Sequence, residues 1–123
     1  MKEKPFGIID ILPKQVPGNS AGQYFAVEDF FLRNQIGEIK KKHLNVILKL
    51  NCYMDITIDD EKNPAPDKIR DMMLERSVNI SIGETVILSE PDDTYLTIYE
   101  PDEELLKLVK EIASSEGLFV WGF

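Results

Sequence analysis

The sequence predicts an α+β domain, a mixed and mainly antiparallel sheet with helices on one face. Three observations carry this expectation. Every even position from Leu44 to Ile58 is apolar and most odd positions are polar, the period of a strand with one buried face. Val78, Ile80 and Ile82, then Gly83-Glu84, then Val86 to Leu88 read as a hairpin with glycine at the first turn position. Tyr95 to Phe123 reads as strand, helix and strand, a right-handed crossover that sets its two strands parallel, adjacent or one apart.

Taken in order, a first strand spans 6–12, and Pro13, Pro17, Gly18 and Asn19 mark a loop. Ser20 and Gln23 have capping-box spacing, so a helix is expected over 21–42, with Tyr24, Phe25, Phe31, Leu32, Ile36 and Ile39 on its stripe. Lys40, Lys41, Lys42 and His43 then fall in its last turn, where cations complement the helix dipole. The strand 44–58 follows, long enough to bend or change partners. Asp59 to Pro66 has the composition of an exposed loop, and Asp67 caps a short helix over 67–76. Strands 78–82, 85–89 and 94–99 come next, the last two separated by the turn Glu90-Pro91-Asp92-Asp93. Pro101 and the carboxylates around it open a helix over 102–115, Gly117 stops it, and a last strand covers 118–123.

A length of 123 residues and 43% apolar content fit one domain that buries its own core. No apolar run approaches the ~18 residues that cross a bilayer. Met1 to Pro5 starts like the charged end of a signal peptide, but Asp10 interrupts the apolar segment and Pro13 and Lys14 follow, so this segment reads as a strand. One cysteine excludes an internal disulfide, which makes a cytoplasmic location the expectation.

The net charge of −8 is concentrated along the chain. Residues 1–83 carry twelve acids and twelve bases, whereas residues 84–123 carry ten acids against Lys107 and Lys110. Such a field repels nucleic acid and anionic lipid and steers a basic partner inward. Lys40-Lys41-Lys42 is too short a run to reverse that.

The groups that carry common chemistries are sparse. His43 and Cys52 are the only histidine–thiol pair, and on one strand they lie ~30 Å apart on opposite faces. Cys52 reads as a small core residue and His43 as a helix-end cation or surface residue. Zinc lacks ligands, and Asp59-Asp60-Glu61 and Asp92-Asp93 lack the spacing of a calcium loop, so no metal or cofactor is expected. Gly18 to Gly22 has no phosphate-loop lysine. Asp10 and Asp55 sit within strand patterns and are candidates for perturbed carboxylates, with an outward face as the simpler reading. Phe119, Trp121 and Phe123 share one face of the last strand and Leu118 and Val120 the other, which reads as core on both sides or as an aromatic binding face. Glu103, Lys107 and Glu111 are spaced for pairing along a helix.

No catalytic residue is therefore assigned. The expected function is non-enzymatic capture of a basic protein, most concretely by an inhibitor or immunity protein that neutralises a toxin such as a nuclease. Its contact candidates are Asp59, Asp60, Glu61, Glu90, Asp92, Asp93, Glu100, Asp102, Glu104 and Trp121. Two alternatives remain: a small enzyme with Asp55 or Asp10 as base in a pocket, and a structural or homo-oligomeric protein that uses its last strand as an interface.

Overall fold

The computed structural model describes residues 6–14, 16 and 22–122. Their elements are β1 (Phe6–Asp10), α1 (Tyr24–Asn34), α2 (Ile36–Tyr53), β2 (Thr57–Ile58), β3 (Glu61–Lys62), α3 (Pro66–Glu75), β4 (Val78–Ile82), β5 (Thr85–Ser89), β6 (Tyr95–Tyr99), α4 (Glu103–Ser115) and β7 (Phe119–Gly122). The strands form one seven-stranded sheet in the order β3-β2-β4-β5-β6-β1-β7. Every pair in it is antiparallel, so the fold is α+β and the expected mixed sheet is replaced by a wholly antiparallel one. The crossover expectation holds: β6 and β7 flank β1, each antiparallel to it, and so run parallel to one another one strand apart.

Register explains where the core sits. Ile58, Ile80, Ile87 and Ile98 face one another across four strands, and Val78, Ser89, Leu96, Ile9 and Val120 form the neighbouring row. This face packs with the buried stripes of α2, α3 and α4 in one apolar cluster. Each fully buried isoleucine in it contributes roughly 1.5–3 kcal/mol of transfer free energy. The other face carries Val86, Tyr99 and Phe6 in one row, Leu88, Thr97, Ile8 and Trp121 in the next, and Tyr95, Asp10 and Phe119 in a third. That face stays partly open, with Phe6, Tyr95 and Phe119 exposed. The core reading of the last strand's aromatic side is thus corrected for Phe119, and Phe123 lies outside the described residues.

The largest correction is the predicted strand 44–58. Residues 36–53 are one helix, α2, and of the predicted strand only Thr57 and Ile58 belong to a strand. The buried residues Ile39, Lys40, His43, Val46, Ile47 and Leu50 recur every three or four positions, the spacing of one helix face. Ile47, which broke the even–odd alternation, is fully buried, while Cys52, which obeyed it, is exposed. Lys40 and His43 occupy the apolar stripe, and their polar identity hid the helical period. The predicted helix 21–42 divides at Gln35 into α1 and α2, and its Ser20 cap lies outside the described residues.

Two further expectations fall with that strand. Lys40 to His43 are not a last turn, because α2 continues to Tyr53. His43 is buried rather than a helix-end cation or surface residue. Asp55 follows α2 in an exposed corner, where the Asn63 amide and Lys62 hold its carboxyl below the usual range. The outward reading thus holds for Asp55 but is corrected for Asp10, of which only 1% is exposed.

The predicted 83–84 turn is as expected, with Gly83 at φ +60°. Asp59 and Asp60, both at positive φ, are the two central residues of the β2–β3 hairpin, the conformation that a two-residue primed turn demands and that aspartate tolerates. Their place in the sequence is therefore explained by the backbone.

Candidate functional site

The carboxylates expected to meet a partner separate into two ends of the sheet. The β2–β3 turn and the β5–β6 loop, residues 90–94, lie at one end, and Glu100 and Asp102 lie at the other, beyond β6. At the second end Asp102 caps α4 by accepting from Leu105 N at 2.8 Å, and Glu104 is an exposed first-turn acid. Glu100 takes a positive φ of 53° before Pro101. These three acids serve the start of α4 by capping, dipole and turn geometry.

At the first end much of the charge is compensated. Asp59 pairs with Arg76, and Glu61 with Lys68. The Glu90 side chain accepts from the Ser77 hydroxyl. Asp92 and Asp93 instead line a cleft of ≈ 180 Å³ with Thr94, Tyr95 and three residues of α1: Glu28, Asp29 and Leu32. Asp29 is also paired with Arg33 one turn further along α1. The lining thus combines four carboxylate residues with the apolar Leu32 and with Tyr95.

The β5–β6 loop is held from below by α2. Pro91 sits second in a turn closed by Asp93 N donating to Glu90 O at 3.3 Å. The same carbonyl accepts from Lys40 Nζ at 2.6 Å, and Ser89 Oγ lies 3.2 Å from that ammonium. One turn along α2, His43 Nε2 lies 3.3 Å from Thr94 O. Burial, reinforced by the Lys40 charge, lowers the His43 pKa to about 3, so the ring is neutral and Nε2–H is the donor. Its Nδ1 is then a buried acceptor with no hydrogen-bond partner.

Charge is perturbed throughout this end. Burial brings the Lys40 ammonium down to about 8, against the pull of Asp93, Asp92 and Glu90. Burial and then its neighbours Asp92 and Glu90 raise the Asp93 carboxyl, and burial and then Asp93, Asp10, Glu28 and Glu90 raise the Tyr95 phenol. Asp10 stands opposite Tyr95 in the sheet; burial raises it to about 6 and Glu28 adds to the effect, while Asp10 Oδ1 accepts from Ile11 N at 2.7 Å. The Trp121 indole donates to Leu12 O at 3.2 Å, fixing the chain that follows Asp10.

Of the ten contact candidates, only Asp92 and Asp93 line this cleft. Sequence reasoning did not single out Glu28 or Asp29, read Leu32 only as part of a helix stripe, and missed Lys40 and His43 as the anchors. Among the described residues no cluster of three or more His, Cys, Asp or Glu side chains has metal-holding geometry, and no helix is long and apolar enough to cross a membrane. No protein-family model, no curated protein and no solved structure matches this chain.

Proposed function

We propose that this chain is a non-enzymatic binding domain that captures a basic protein through the cleft between α1 and the β5–β6 loop. An inhibitor or immunity protein directed at a basic toxin, such as a nuclease, is the concrete form of this reading. The observation that carries it is that Glu28, Asp29, Asp92 and Asp93 line one cleft together with Leu32 and Tyr95. A lysine or arginine side chain suits such a cleft: its cation meets the carboxylates, its methylene stem lies on Leu32, and Tyr95 offers a ring face. Anchoring by Lys40 and His43 supports the reading, because a pre-ordered loop has less entropy to lose on binding.

The test uses a labelled hexa-arginine peptide and the intact chain, with binding followed by fluorescence anisotropy. Affinity should fall steeply as salt rises, and Asp92→Asn with Asp93→Asn should remove most of that salt dependence. Binding that ignores salt, or that the double variant leaves intact, overturns the proposal.

A further inference from the structure

Among the described residues β7 is an outer strand, hydrogen-bonded to β1 on one side only. Its sequence is Phe119-Val120-Trp121-Gly122, without a charge or a proline. Sheet edges are ordinarily protected by such residues, because an open row of N–H and C=O groups templates another strand. At the opposite edge β3 is Glu61-Lys62, charged at both positions. Among the described residues the two edges of this sheet thus differ, and β7 is the one without charge or proline.

We propose that β7 pairs antiparallel with β7 of a second copy of this chain, about a two-fold axis at Val120, extending the sheet across a dimer. A strand is the occupant that satisfies a row of backbone groups, and this strand is complementary to itself. With Val120 opposite Val120 of the other copy, Phe119 of each copy stands opposite Trp121 of its partner on the open face. Val120 lies on the helix-covered side, packed against the core. Two aromatic cross-strand pairs result, a favourable combination in antiparallel sheets. A neutral edge also gives a basic partner nothing to select by charge, which argues for a second copy over a foreign strand.

The exposed surface sets the strength. Phe6 is 47%, Tyr95 37% and Phe119 44% exposed. Of these only Phe119 stands on the edge strand itself, and at ~150–250 Å² for an aromatic side chain it leaves roughly 65–110 Å² to be covered. The partly exposed Trp121 adds to it on the same strand. A standard interface needs about 800 Å² per partner, so this one lies well below it and the dimer is a weak, concentration-dependent one.

The experiment is sedimentation equilibrium on the full chain over a wide concentration range, at low and high salt. The wild type should dimerise, and Phe119→Lys, an exposed substitution, should weaken the dimer roughly tenfold or more while leaving the thermal transition in place. Because two copies of an acidic chain repel one another, added salt should tighten the dimer, the reverse of its effect on capture of a basic peptide. As a second readout, Val120→Cys in a Cys52→Ser background should form a disulfide-linked dimer on mild oxidation. A monomer at every concentration overturns the proposal, as does a dimer that Phe119→Lys leaves unchanged or a Val120→Cys chain that fails to cross-link.

Discussion

Lys40 Nζ, in the second turn of α2, donates to the carbonyl of Glu90 at 2.6 Å, joining segments 50 residues apart. This contact places a buried cation directly beneath the loop that carries Asp92 and Asp93. It links the fold to the cleft, since removing Lys40 alters both the loop's support and the local charge.

Lys40→Met tests that link by pH. In the fold Lys40 titrates near 8, below the usual 10.5, so between those values the unfolded chain binds more protons than the native one. Native stability from this residue therefore rises with pH across that window. Urea midpoints taken from pH 7 to 10 should show the rise in the wild type and a flatter profile in the variant. At pH 7 the two should differ by no more than about 2 kcal/mol, because relief of a buried charge opposes the loss of two hydrogen bonds.

His43 acts at the acid side. Its folded pKa of about 3 lies below the ordinary 6.5, so its contribution to stability is present above pH 6.5 and is lost as pH falls toward 3. His43→Phe removes this titration and should flatten the acid limb of the stability profile. His43→Ala should cost about 2–4 kcal/mol at pH 7, since a fully buried ring leaves a cavity behind. Chemical denaturation of both variants separates the two effects.

Asp10 has the opposite sign. Its carboxyl is raised from 3.8 to about 6, so the native state holds the proton more tightly and stability falls as pH rises through that range. Asp10→Asn keeps an oxygen for the Ile11 amide and removes the buried charge. The variant should be more stable than the wild type at pH 7 by about 1–3 kcal/mol, and the gain should vanish near pH 4. Thermal melts at the two pH values check this.

Much of the α+β fold was legible because its strands from Val78 onward alternate and are separated by glycine and proline turns. The α2 segment was not, because Leu44, Val46, Leu48, Leu50 and Cys52 imitate a strand period while the two polar residues that complete the helical stripe, Lys40 and His43, look like surface groups. Burial of a lysine and a histidine is a tertiary outcome: it depends on carbonyls of Glu90 and Thr94 that lie about fifty residues away. The cleft was half legible for the same reason. Asp92 and Asp93 announce themselves in a proline turn, but Glu28 and Asp29 join them only because α1 comes to rest beside that turn. Asp59 and Glu61 looked equivalent in composition and are separated from the others by their pairing with Arg76 and Lys68.

That separation gives a selectivity prediction. In stopped-flow mixing with the arginine peptide, Asp92→Asn and Asp93→Asn should each slow association several-fold at low salt, mainly through the on-rate. Asp59→Asn, which breaks an exposed pair with Arg76, should leave the rate nearly unchanged.

The most direct measurement is a titration of the isotope-labelled chain with the same peptide, followed by backbone amide chemical shifts. Capture in the cleft requires the largest shifts at Glu28, Asp29, Leu32 and Asp92 to Tyr95, with Glu100 to Glu104 at the far end of β6 little moved. Shifts centred on the α4 start or the β2–β3 turn, or spread evenly over all the acids, would contradict a basic partner's being held between α1 and the β5–β6 loop.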